Sequence, residues 1–225
     1  DVSLAPVEFQ AGKFAHVGFV HAAKAILNRS EAHVQKLKEE YPAYSVVHTG
    51  HSLGGAAAAL AAILAPYPVE KVTLYGPAAC VDRETAEEMA EYTTTFVNTA
   101  DCVPRLHWHA FYNLKRDVAN TDWDEAIDEF VQKIGEDERA QSEVGAKALQ
   151  LFANYHSSRT KRLLGSLKAE IAEYDPDDMP VALYPPGHTY RVSEAHGSEE
   201  EPLEFWETFE ISSSLLVDHP LDRYK

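Results

Sequence analysis

The run Tyr44–Leu60, YSVVHTGHSLGGAAAAL, decides how this 225-residue chain is read. Tyr44-Ser-Val-Val-His-Thr49 is a short β-branched stretch between Pro42 and Gly50 and is predicted to be a buried strand. From Leu53 to Leu64 the residues are strong helix formers, and Pro66 and Pro68 stop the run. Between the two lies Gly50-His51-Ser52-Leu53-Gly54, a G-x-S-x-G pattern where a strand turns straight into a helix. A serine on so sharp a turn is strained, with its hydroxyl exposed above the sheet, and the flanking Gly50 and Gly54 are expected to let neighbouring backbone approach without a Cβ clash. A helix that starts at Leu53 aims its free amides at the same spot, so the Leu53 N–H is placed to stabilise an oxyanion. The plainer alternative is a small-residue turn that packs a helix on a strand. The strand–turn–helix context and the extra Gly55 favour a nucleophile.

Working outward, Phe14, Val17, Val20, Ala23, Ile26, Leu27, Val34 and Leu37 recur at steps of three and four, which predicts one long helix or two abutting ones over 14–41. After the elbow, strands are expected at Lys71–Tyr75 and Thr93–Asn98, with a helix at about Arg83–Glu91 capped by Asp82. That alternation is the signature of an α/β fold with a mostly parallel sheet covered on both faces. Residues from about Trp108 to Tyr174 change character, becoming polar, acidic and helix-patterned, and read as a helical insert. Within it Thr121 is the expected N-cap, with Asp124 at the third helical position and Phe130, Val131 and Ile134 on one apolar face. Strands are then expected at Val181–Tyr184 and Tyr190–Ser193, followed by an acidic loop at Ser193–Glu204 and a last strand-like run at Phe209–Leu216.

Composition narrows the partners. With 20 basic and 36 acidic side chains the formal charge is −16, and residues 111–225 carry −12 of it, which disfavours nucleic acid and anionic membrane surfaces. The longest apolar stretch, Gly54–Pro66, is too short to span a bilayer, for which roughly 20 residues are needed. Cys80 and Cys102 make neither a disulfide framework nor a four-ligand zinc site. The chain opens on Asp1 instead of Met, so a processed or partial chain is expected, with a first strand or two upstream.

A nucleophilic serine needs a base to take its proton, and the base needs an acid to hold its tautomer. On a strand–elbow–helix scaffold the partners follow later strands, in the order serine, acid, histidine. Asp101, in the loop after Thr93–Asn98, is the acid candidate, whereas Asp82 is better explained as a helix cap. Among eleven histidines, His219 is favoured as base because it follows the last strand-like run. His107 and His109 are close enough after Asp101 to line a pocket, His188 and His196 read as surface residues, and His156 lies in the helical insert. His51 is expected to point away from the nucleophile.

These segments resemble a known family. Tyr44–Leu60 is similar to the elbow of class 3 (fungal-type) lipases, and His16-Val-Gly-Phe19 resembles their "vH.Gf" helix. Tyr75–Asp82, Asp101-Cys-Val-Pro-Arg-Leu106, Leu183-Tyr-Pro-Pro-Gly187 and Asp218-His219 with Tyr224 resemble the sn-1-specific diacylglycerol lipase branch. The resemblance implies an α/β-hydrolase fold, Ser52 as nucleophile, Asp101 as acid, His219 as base, and a glycerolipid substrate met at a lipid interface. It implies no required cofactor, with calcium dependence known only as a trait of that branch, and it makes 113–178 a variable region that can cover the acyl pocket. One departure stands out: the family's "F-R-G-T/S" loop, source of the second oxyanion donor, should precede His16, and the fifteen residues there hold no such motif. The expectation is an N-terminally incomplete domain. The competing readings are a non-catalytic lipase-like scaffold or lipid sensor, and a lipase acting on phospholipid or galactolipid.

Overall fold

The computed structural model describes residues 6–123, 125, 128–129, 132, 143–172, 179–195, 197–209 and 217–224. The chain divides into two compact units, Asp1–Phe111 with Met179–Lys225, and Tyr112–Asp178.

The first unit is a five-stranded sheet with flanking helices and a separate hairpin. The hairpin pairs β1 (Pro6–Gln10) with β2 (Lys13–His16) across Gly12, whose φ of 75° suits a residue without a Cβ. Helix α1 (Val17–Glu40) follows, then β3 (Val47–His51), α2 (Leu53–Leu64), β4 (Lys71–Tyr75), α3 (Arg83–Glu88) and β5 (Thr93–Asn98). Helix α4 (Trp108–Asn120) leads out of this unit, and β6 (His188–Ser193) and β7 (Gly197–Glu200) complete the sheet. The strand order is β3-β4-β5-β6-β7, parallel from β3 to β6 and antiparallel only between β6 and β7. This is an α/β-hydrolase-type arrangement with the carboxyl ends of β3, β4 and β5 on one rim, where open α/β sheets hold their ligands.

The core explains why the sheet closes on α2. Strand β4 alternates, burying Val72 and Leu74 completely, and the alanines of α2 are small enough to let the helix lie close against it. Ala56, Ala59 and Leu60 are wholly buried, and burying a leucine side chain stabilises by about 1.5–3 kcal/mol. Asp82 caps α3 by accepting the Thr85 N–H at 2.8 Å, and its other oxygen accepts the Phe14 N–H, which ties the hairpin to α3.

Several expectations are corrected. Helix α1 begins at Val17: Phe14 and Ala15 belong to β2, and His16 ends that strand by accepting the Gly18 N–H on its Nδ1 at 3.1 Å. The elbow strand starts at Val47 instead of Tyr44 and is an edge strand, with Val47 62% exposed, so it is not the buried strand the β-branched run suggested. Val181–Tyr184 makes only an isolated bridge from Tyr184 to Val81. Part of the acidic loop at Ser193–Glu204 is strand β7, held in register by Arg191, which pairs with Glu199 and with Glu201 at 2.8 Å. Ion pairing across strands offset a composition that argued for a loop.

In the second unit α5 (Glu143–Ala172) runs for 30 residues, and Lys115 pairs with Glu170. Thr121 is not a cap: its hydroxyl donates to the Asp117 carbonyl, and the Asp122 carboxylate accepts the Glu125 N–H. Asp124, Phe130, Val131 and Ile134, like His196 and the expected strand over residues 210–216, lie outside the described residues. No helix among the described residues is long and apolar enough to cross a membrane.

Candidate active site

Strand β3 ends at His51, and Ser52 takes φ 56° and ψ −131°, a conformation that L-residues rarely adopt. Its N–H donates to the Tyr75 carbonyl at the end of β4, and its carbonyl accepts from Gly55 and Ala56 in the first turn of α2. The turn is thus held from both sides. The glycines explain its tightness unequally. A Cβ on Gly50 would sit 2.4 Å from the Gly54 carbonyl oxygen, and one on Gly55 would meet Pro77 at 3.1 Å and the Gly50 oxygen at 3.2 Å. A Cβ on Gly54 meets no described atom within 4 Å. The close strand–helix approach therefore needs Gly50 and Gly55, not the flanking pair Gly50 and Gly54 that the motif suggested.

The acid candidate follows β5. Thr99, at φ 41°, turns the chain with its N–H bonded to the Val192 carbonyl of β6, and Asp101 emerges fully buried. Its carboxylate receives two donors besides His219: Oδ1 accepts the Val103 N–H at 2.9 Å, and Oδ2 accepts the Tyr224 hydroxyl at 2.7 Å, while the Asp101 backbone N–H donates to the Asn98 carbonyl. A buried carboxylate needs such donors to stay ionised. Gly76, at φ 47°, ends β4 beside it, where a Cβ would come within 2.5 Å of both Asp101 Oδ2 and the Tyr224 hydroxyl.

His219 lies between them. Its Nδ1 is 2.9 Å from Asp101 Oδ2 and 3.1 Å from Oδ1, and its Nε2 is 2.8 Å from Ser52 Oγ. In the tautomer this requires, Nδ1–H donates to the carboxylate and Nε2 accepts the serine proton. The segment is anchored on both sides. The Asp218 carbonyl accepts from Asn98 Nδ2 at 3.1 Å, and its carboxylate accepts the Ala100 N–H at 3.2 Å. Leu53 is the first residue of α2, directly after Ser52, so its N–H has no acceptor within the helix.

The structure thus brings Ser52, Asp101 and His219 together, and it corrects the reading of His51. That side chain does not point away: its Nε2–H donates to the His219 carbonyl at 2.8 Å, and the two imidazoles stack at 4.7 Å. His107 does not line an open pocket, being buried with its Nε2–H on the Trp206 carbonyl at 3.0 Å. His188 is exposed and pairs with Glu200 on β7. His156 is helical, within α5. Gly76 and Arg105 lie in the segments Tyr75–Asp82 and Asp101–Leu106 that carry the resemblance, but sequence reasoning assigns neither a role. The fully buried Arg105 guanidinium donates to the Phe205 and Thr208 carbonyls and lies over the Trp206 ring, tying the Asp101 loop to the 203–207 turn. No pattern of spacing marks either residue. For calcium, no group of three or more His, Cys, Asp or Glu side chains among the described residues is arranged to hold a metal ion.

No curated protein sequence matches the chain. Similar solved structures include a lipase from Rhizopus microsporus var. chinensis (25% identity, TM-score 0.41, 47% of this chain and 40% of that one). Rhizomucor miehei triacylglyceride lipase is also similar (28%, TM-score 0.43, 47% and 44%). A third is a triacylglycerol lipase whose catalytic centre is formed by a serine protease triad (28%, TM-score 0.44, 49% and 46%). The chain spans less than half the length of each of these lipases. Residues 2–110, which contain the elbow and Asp101, match the family model of lipase (class 3).

Proposed function

We propose that this chain carries the site of a serine carboxylic-ester hydrolase of the lipase type, with Ser52 as nucleophile, His219 as base and Asp101 as the acid that orients it. One observation carries the reading: an unbroken relay from Ser52 Oγ through both ring nitrogens of His219 to a buried carboxylate, presented on a strained strand-to-helix turn. The class 3 lipase match over 2–110 supports the same chemistry.

His219 Nε2 takes the Ser52 hydroxyl proton as Oγ attacks the ester carbonyl carbon. Negative charge moves to the carbonyl oxygen, where the Leu53 N–H and the amino end of α2 stabilise it. Collapse of the tetrahedral species breaks the bond to the glycerol oxygen, which leaves with the proton held on His219. Water, deprotonated by the same nitrogen, then attacks the acyl-enzyme and releases the fatty acid. Asp101 holds Nδ1–H throughout.

The substrate class in this reading is an acylglycerol. Diacylglycerol is favoured by the resemblance of Asp101–Leu106 and of Asp218, His219 and Tyr224 to the diacylglycerol lipase branch. A fluorophosphonate probe is expected to label Ser52 and no other residue, and hydrolysis is expected to rank diacylglycerol above phospholipid, galactolipid and short-chain esters. Labelling that persists unchanged in Ser52→Ala overturns the nucleophile, and a preference for phospholipid or galactolipid overturns the substrate.

A further inference from the structure

Two side chains touch the acid–base pair without any place in the steps above. The Tyr224 hydroxyl donates to Asp101 Oδ2 at 2.7 Å while accepting the Asn98 N–H at 3.1 Å. It thereby fixes the carboxylate oxygen that lies 2.9 Å from His219 Nδ1 against the end of β5. Burial, and next the charge of Asp101, push the Tyr224 phenol well above its ordinary range, so it remains a donor across the working range of pH. On the other side of the base, His51 donates to the backbone carbonyl of His219 itself and stacks on its ring at 28° to parallel. The two are joined, since the Tyr224 ring meets His51 edge-on at 5.8 Å and Tyr75 at 5.8 Å.

We propose that Tyr224 and His51 are positioning residues that together form a brace, Tyr224 setting the acid and His51 setting the base, so that Nε2 of His219 stays on Ser52. The assignment rests on the relay proposed above. The physical case is one of rotation. A carboxylate held by the Val103 N–H alone can swing about its Cβ–Cγ bond, and a histidine held only through its side chain can turn about χ2. The tyrosine hydroxyl stops the first motion, and the His51 N–H on the His219 carbonyl, backed by the stacked ring, stops the second. His51 also sits at the variable position of G-x-S-x-G, so the same five-residue turn supplies both the nucleophile and the clamp on its base.

The test uses the 225-residue chain and the variants Tyr224→Phe, His51→Phe, His51→Gln and the double Tyr224→Phe/His51→Phe, with folded fraction checked by urea denaturation. Two quantities are read: the rate at which a fluorophosphonate labels Ser52, and the low-field proton resonance of His219 Nδ1–H, which needs no turnover. Tyr224→Phe is expected to slow labelling about tenfold without changing the half-saturating probe concentration, the loss of one hydrogen bond to a charged group. The same variant broadens or abolishes the low-field signal. His51→Phe keeps the stack and loses the donor, slowing labelling several-fold, and His51→Gln recovers most of that loss. The double variant is expected to lose less than the product of the two single losses, because both act on one pair. Native labelling rates with an unchanged resonance in Tyr224→Phe and His51→Phe overturn the brace. If the native chain is not labelled at Ser52, the hydrolase reading fails by itself, and the resonance decides the brace: lost in Tyr224→Phe it stands as geometry, unchanged it falls.

Discussion

Ser52 is set by residues that neighbour it in the chain, whereas His219 is set by residues 118 to 168 positions away. At the elbow, β3, one left-handed residue and the first turn of α2 follow one another without interruption, and the backbone N–H of Ser52 is held by the Tyr75 carbonyl of the adjacent strand. At the other end of the relay, nothing in 217–224 is a regular strand or long helix. His51, Asn98, Ala100 and Asp101 must all be in place before the segment has a fixed position. Strain stored locally needs glycines at defined offsets. Placement from afar needs the whole sheet.

The largest effect that tests this contrast falls on the remote side. Asp101→Asn is expected to lower kcat for ester hydrolysis by about 10⁴ with little change in KM, because an amide favours the wrong histidine tautomer while leaving the substrate's surroundings alone. A loss spread equally over kcat and KM would show that Asp101 shapes the pocket instead.

On the local side the contrast predicts damage to folding. Gly50→Ala forces a Cβ to 2.4 Å from the Gly54 oxygen and is expected to cost about 3 kcal/mol, read as a lower urea midpoint. Gly54→Ala, the other glycine of the same motif, is expected to stay within about 0.5 kcal/mol, since its Cβ meets no described atom and alanine favours the helix. Equal destabilisation by the two would break the local account.

The smallest effect concerns pH. Burial holds His16, His107 and His109 below the ordinary histidine value, so the unfolded chain binds protons first as the solution is acidified. Their contribution to stability is complete above about pH 6.5 and is lost as pH falls from there through the folded-state values. The urea midpoint is expected to be lower at pH 5.5 than at 7.5, and less so in His107→Gln.

The same contrast explains what was legible in the sequence. The elbow could be read because Gly50, Ser52 and Gly55 act within six residues, and β4 and β5 because their alternation is strong. Asp101 and His219 could be ranked only by chain order and by resemblance, since nothing local marks a side chain whose partners are more than a hundred residues away. The direction of His51 was misjudged for the same reason: its partner is the carbonyl of His219. Phe14 falls into the helical period by coincidence, overridden by the turn at Gly12, and β7 is hidden by glutamates whose neutralising arginine lies on the adjacent strand.

Strand β3 also has a consequence for handling the chain. It pairs with β4 on one side, and among the described residues no strand pairs with its other margin, where Val47 is 62% exposed. An apolar groove lined by Leu37, Tyr41, Tyr44 and Val46 runs beside it. An unpaired margin is a template for strand pairing, and a charged side chain placed at Val47 is the simplest way to blunt it.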